Sequence, residues 1–109
     1  MTFEPPRGKS RADDSRIGER FETMYKVVLL PKAERTFASA GRPLAKKFAR
    51  ALRLLEREPM HHPNVKPLVG PLKGFWRFRS GDHRIIYQID DGKKTVYVVR
   101  IVDRKEAYD

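Results

Sequence analysis

The 109-residue chain contains no cysteine. That absence excludes disulfide staples, thiolate catalysis and cysteine-based zinc sites together. Long apolar runs are also missing. The longest, Val27–Leu30 and Val96–Val99, have four residues each, against the roughly 20 that cross a bilayer. No membrane partner is therefore expected. The N-terminal charges are not followed by the apolar stretch of a signal peptide, and their mixed acids are unlike a transit peptide. A cytoplasmic protein is expected. Acids are scarce as well: 14 Asp and Glu stand against 24 Lys and Arg, for a net charge of +10.

That excess is unevenly spread. In residues 1–23, Arg7, Lys9, Arg11, Arg16 and Arg20 balance Glu4, Asp13, Asp14, Glu19 and Glu22. The remaining 19 basic and 9 acidic residues all fall in 24–109. A small domain with such a surplus attracts polyanions, so nucleic acid is the first partner to consider. The neutral stretch carries Pro5, Pro6, Gly8 and Gly18, and its Phe3, Ile17 and Phe21 are too scattered for a buried stripe. It reads as a flexible leader over 1–23, followed by one domain over 24–109. A short helix over Asp13–Thr23 is the competing reading, and Met24 would serve as a start as well as Met1.

The domain has a legible order of elements. Tyr25–Leu30 is β-branched and apolar and reads as a strand. Pro31 suits the first turn of a helix over Lys32–Ala40, which Gly41 closes. A second helix opens at Pro43, with Leu44, Ala45, Phe48, Leu52 and Leu55 as its buried stripe. Lys46, Arg50, Arg53 and Arg57 occupy its other side, with Lys47 next to them in sequence, and like charges at that helical spacing repel where a polyanion would relieve them. Prolines 59, 63, 67 and 71 mark a long loop. Strands over Leu72–Ser80, Asp82–Asp90 and Thr95–Asp103 follow, joined by tight primed turns at Gly81-Asp82 and Asp91-Gly92. The fold expected is α+β, β-α-α-β-β-β, with a twisted, mainly antiparallel sheet covered on one face by a helical hairpin.

A two-residue turn at Gly81-Asp82 pairs Ser80 with His83, Arg79 with Arg84, Phe78 with Ile85, Arg77 with Ile86 and Trp76 with Tyr87. Alternation then places Trp76, Phe78, Ile85, Tyr87 and Ile89 on the core face and Arg77, Arg79 and Arg84 on the other. Directly opposed like charges destabilise an antiparallel pair. Three arginines together therefore point to an anion or phosphate site, although arginines also snorkel harmlessly on wet faces. Arg100 falls on the core side with a two-residue loop at Asp91-Gly92 and on the arginine side with a three-residue bulged one. His61-His62 has no further ligands nearby in sequence, so no metal site is expected. Asp90, Asp91 and Asp103 read as turn and strand-end residues.

The segment Leu72–Ile89, LKGFWRFRSGDHRIIYQI, resembles the signature of the RelE/ParE toxin superfamily of type II toxin–antitoxin systems. So does the ending Val99–Tyr108, VRIVDRKEAY, with an arginine followed by a tyrosine. The resemblance, covering residues 24–109, implies a RelE-like fold and a toxin held in check by a small, acidic, DNA-binding antitoxin. The RelE-like branch, cutting messenger RNA in the ribosomal A site, implies Arg77, Arg84, Arg104 and Tyr108 as catalytic residues. Lys73 and Arg79 would be helpers in binding RNA, alongside the basic helix Lys46, Lys47, Arg50, Arg53 and Arg57. Attack by the RNA 2′-hydroxyl requires no metal and no cofactor. His83 stands where the family usually has tyrosine, and Phe75 where its best-known members have a second strand lysine. The ParE-like branch would instead bind DNA gyrase without catalysis.

Overall fold

The computed structural model describes residues 2–3 and 24–106. Strand β1 (Lys26–Leu29) leads into α1 (Pro31–Ser39) and α2 (Arg42–Arg57). Four strands follow: β2 (Val65–Pro67), β3 (Trp76–Ser80), β4 (His83–Asp90) and β5 (Thr95–Asp103). They form one sheet in the order β1-β5-β4-β3-β2. Only β1 and β5 run parallel; the other neighbours are antiparallel.

Each helix begins where proline favours it, with a proline in the first turn of both. Helix α2 buries Phe48, Ala51, Leu52 and Leu55 against Val27, Leu29, Phe78, Ile85, Tyr87, Val96 and Val98 of the sheet. Each large side chain so buried contributes about 1.5–3 kcal/mol. The hydroxyl of Tyr87 donates to the carbonyl of Pro59 at 2.7 Å, tying the sheet centre to the loop after α2. Burial pushes that phenol's pKa up. The start of β1 is clamped to the β4–β5 loop. Tyr25 donates to Asp91 at 2.5 Å, and the Lys94 ammonium lies 5.1 Å from the Tyr25 ring centre. The bond to the carboxylate, with burial, pushes Tyr25 up to about 12, and Asp91 is lowered in return.

Four local expectations are corrected. Within the segment read as a loop, β2 pairs with β3, Lys66 opposite Arg77. It escapes a sequence reading because it has three residues and ends in Pro67, which suits an edge strand. The third strand starts at Trp76 rather than Leu72, because Gly70–Leu72 forms a single 3₁₀ turn. The β4–β5 connection is a four-residue loop, 91–94, rather than a tight two-residue turn, and Lys94 takes the positive φ of 50°. The opposite sheet face is not merely wet either: Leu68, Ile86 and Val102 are buried there, with Leu72 and Phe75 packed beside them.

The register expected for β3 and β4 holds at all five pairs. Gly81 has φ 60°, the geometry of a II′ turn. At the N terminus, Phe3 is buried in the main core. Its amide donates to the Val27 carbonyl at 2.9 Å, and Thr2 bridges Val28 antiparallel. The sequence reading gave Phe3 no packing partner; the outer edge of β1 and the core supply one. The leader expected over 1–23 otherwise lies outside the described residues, as does the competing helix at 13–23.

Candidate functional site

The pleat of the sheet sends the side chains of Arg77, Arg79 and Arg84 away from the helices. One cross-strand row runs Lys66, Arg77, Ile86, Arg100 over β2, β3, β4 and β5. The next runs Arg79, Arg84, Val102. No position in these two rows is acidic.

Arg84 is the most enclosed of these cations, at 8% exposure. Its Nη1 donates to the carbonyls of Gly81 at 3.0 Å and His83 at 3.1 Å, so the guanidinium is folded back under the hairpin tip. Arg77 is half-buried and donates to the Asn64 carbonyl at 2.8 Å. Arg79 is exposed, directly across from Arg84. The apolar floor of Leu68, Ile86 and Val102 lowers the local dielectric, so an anion seated among these groups gains more than it would in water. A guanidinium presents five donors in a fixed fork, suited to bidentate contact with phosphate oxygens.

Arg104 reaches the same tip through its backbone. It opens the turn Arg104–Glu106, its side chain is exposed, and its amide donates to the Asp82 carbonyl at 2.8 Å. The Gly81–Asp82 turn thus gathers Arg84 and Arg104 from positions twenty apart in sequence. Lys47 of α2 reaches the same place: its Nζ lies 3.2 Å from where a β-carbon on Gly81 would stand. Tyr108, the fourth catalytic residue the resemblance implies, lies outside the described residues.

Other expected residues are elsewhere. Lys73 is exposed at the opposite end of β3 from the Gly81 turn. Lys46, Arg50 and Arg57 are exposed on α2, which covers the other face of the sheet, so they form a second basic surface. Arg53 does not share their exposure: its Nε is buried without a hydrogen-bond partner. Beside it on α2, Glu56 is 7% exposed. Burial pushes its carboxyl up to about 7, while the charges of Arg53 and Arg57 restrain the rise. His83 packs edge-on against Phe48, ring centres 5.2 Å apart, and so belongs to the helix side, away from the arginines. Among the described residues, no three His, Asp or Glu come together as metal ligands would.

Sequence reasoning missed Lys66 and left Arg100 undecided. Lys66 sits in the unexpected β2. Arg100 is placed by a register shift between Ile86 and Tyr87: Tyr87 pairs with Val98, but Ile86 pairs with Arg100. The extra residue, Val99, is a β-bulge, a device that re-aims side chains.

Residues 27–108 match the family model described as the ParE toxin of the type II toxin–antitoxin system parDE. The toxin RelE of Mycobacterium tuberculosis is 42% identical over 47 residues, 43% of this chain and 48% of that protein. Toxin RelG of the same organism is 39% identical over 54 residues, 50% of this chain and 60% of that protein. The matched stretches thus span about half the length of these curated relatives. Among solved structures, the M. tuberculosis toxin–antitoxin complex RelBE2 contains a chain 34% identical, with TM-score 0.64, covering 74% of this chain and 99% of that one. A chain of the RelE–RelB complex from Pyrococcus horikoshii is 25% identical, with TM-score 0.65, covering 77% and 99%.

Proposed function

Because this chain belongs to the RelE/ParE superfamily of type II toxin–antitoxin toxins, we propose that it is a RelE-type endoribonuclease that cuts messenger RNA on the ribosome. A cognate antitoxin would hold it in check, as the complexes formed by its structural relatives suggest.

The observation that carries this reading is the convergence of Arg84 and Arg104 on the Gly81–Asp82 turn, with Arg77 and Arg79 in the adjoining rows. Cleavage by the RNA 2′-hydroxyl of the adjacent phosphodiester needs three things. The strand must be held in line, the charge of the pentacoordinate phosphorus stabilised, and two protons moved. Guanidinium groups, those of Arg77 and Arg84 anchored by backbone carbonyls, meet the first two needs. Arginine is a poor base, since its pKa exceeds 12. The proton taken from the 2′-hydroxyl is therefore assigned to Tyr108, as the family resemblance implies, and the 5′-oxygen released when its bond to phosphorus breaks takes a proton from solvent. His83 faces α2 and takes no part. The exposed cations of α2, Lys46, Lys47, Arg50 and Arg57, would contact ribosomal RNA phosphates and position the toxin without reading sequence.

A second reading has one specific support: the matched family model is that of ParE toxins. On it, the same scaffold would bind DNA gyrase without catalysis. Inducing the chain in cells separates the two. A rapid block of translation with mRNA cut inside codons supports the ribonuclease. Intact mRNA with a DNA-damage response overturns it in favour of gyrase binding.

A further inference from the structure

Strand β1 stops at Leu29, opposite Val98, so the second half of β5 has no strand on its outer side. Helix α1 packs there instead. Between them lies an open hollow of ≈ 280 Å³, walled by Lys32, Arg35, Thr36, Arg100 and Ile101. That is close to the roughly 300 Å³ at which small-ligand sites begin.

Three of the five wall residues are cations and none is acidic. Glu34, the one acid on α1, is not part of the wall. Thr36 is committed to its own helix: its hydroxyl donates to the Lys32 carbonyl at 3.1 Å. The available donors are therefore the ends of Lys32, Arg35 and Arg100. Cations gathered without an acid repel each other and are stabilised by an anion.

Arg100 links this hollow to the arginine face. Without the bulge at Val99, residue 100 would pair with Ile85 and turn toward the core. With it, Ile101 takes the core position opposite Ile85, and Arg100 pairs with Ile86, whose other neighbour is Arg77. Arg77 and Arg100 are two strands apart, about 10 Å between backbones at the usual strand spacing. Arg77, Arg100 and the Lys32–Arg35 wall thus follow one another across the sheet toward α1.

We propose that the hollow between α1 and the bulged half of β5 is a second phosphate site, which holds the phosphodiester of a nucleotide neighbouring the one that is cut. The proposal rests on RNA being the substrate of the arginine face, and it adds a subsite that fixes where along the strand the cut falls. Lys32 and Arg35 supply charge-assisted hydrogen bonds; Arg100 is shared between the two sites.

The test uses the full chain and a 2′-O-methyl RNA pentanucleotide, which binds but has no 2′-hydroxyl to react. Lys32→Ala with Arg35→Ala is compared with wild type and with a charge-matched control, Arg42→Ala with Lys93→Ala. All four positions are exposed, and melting temperatures verify folding. The double variant should lose affinity on the order of tenfold at about 50 mM salt, and its slope of log Kd against log salt should flatten by about 0.7 for each phosphate it no longer neutralises. A dinucleotide, too short to span both sites, should bind wild type and double variant alike. A double variant indistinguishable from the control overturns the second site and leaves ribosomal cleavage standing. Failure of wild type to bind the pentanucleotide at that salt also overturns it, whereas uncut mRNA on ribosomes carrying wild type would overturn the ribonuclease reading itself.

Discussion

Arg84 and Arg104 hold the same two-residue turn, one by its side chain and the other by its backbone. The Arg84 guanidinium donates to the Gly81 carbonyl, and the Arg104 amide donates to the Asp82 carbonyl. Arg84 is bound by its side chain and buried; Arg104 is bound by its backbone, and its side chain is exposed. The two arginines should therefore respond differently to substitution.

Arg84→Ala is expected to lower both stability and cleavage. It strips two carbonyls of a buried charged donor, which costs about 1–3 kcal/mol, partly offset by relief of repulsion from Arg79. Arg104→Ala should leave stability within about 0.5 kcal/mol, as exposed substitutions usually do. Denaturant unfolding of both variants checks this; equal losses would mean that the Arg84 side chain is not anchoring the turn.

How much of this was legible in the sequence depends on the residue. The β3–β4 register was readable because Gly81-Asp82 fixes the turn and strict alternation fixes the faces. The burial of Arg84 was not, because it depends on the guanidinium folding back onto the Gly81 and His83 carbonyls, on a face that strand alternation assigns to solvent. The two-residue versus bulged alternatives for Arg100 could not be resolved either. A single extra residue at Val99 breaks the alternation only locally, and both Val99 and Arg100 suit either face. Strand β2 was hidden by its shortness and its Pro67, and Phe3 by lying more than twenty residues from Val27, whose carbonyl it bonds.

Phe3 yields the next prediction. Phe3→Ala, or a chain starting at Met24, should lose about 3 kcal/mol, the lower end of the range for removing a buried phenylalanine. Thermal melting measures it. An unchanged melting temperature would show that Phe3 adds nothing to the core in solution.

Glu56 sets a pH dependence. Its carboxyl is raised from 4.5 to about 7 in the folded chain, so the folded state binds this proton more tightly than the unfolded one. The contribution of the protonated group is fully present below about pH 4.5 and is lost as pH rises through about 7, a change of order 3 kcal/mol. Glu56→Gln should remove that slope and raise stability at pH 8. Unfolding curves at pH 5, 6.5 and 8 test it; a parallel pH dependence in wild type and variant would place the slope elsewhere.

The exposed α2 cations should act through long-range charge. Reversing Lys46 and Arg50 to glutamate should weaken ribosome binding at low salt, and the difference should shrink as salt rises. Equal binding at low salt would reduce that face to a solvated surface.

Single-turnover cleavage of mRNA on ribosomes with an empty A site, comparing wild type with Arg104→Ala, bears most directly on the proposed chemistry. Wild type is expected to cut within the A-site codon. Arg104→Ala is expected to bind ribosomes within a few-fold of wild type but to cut about 10²–10³ more slowly, the usual loss when one donor to transition-state charge is removed. Uncut mRNA with folded, ribosome-bound wild type, or full-rate cleavage by Arg104→Ala, would contradict it.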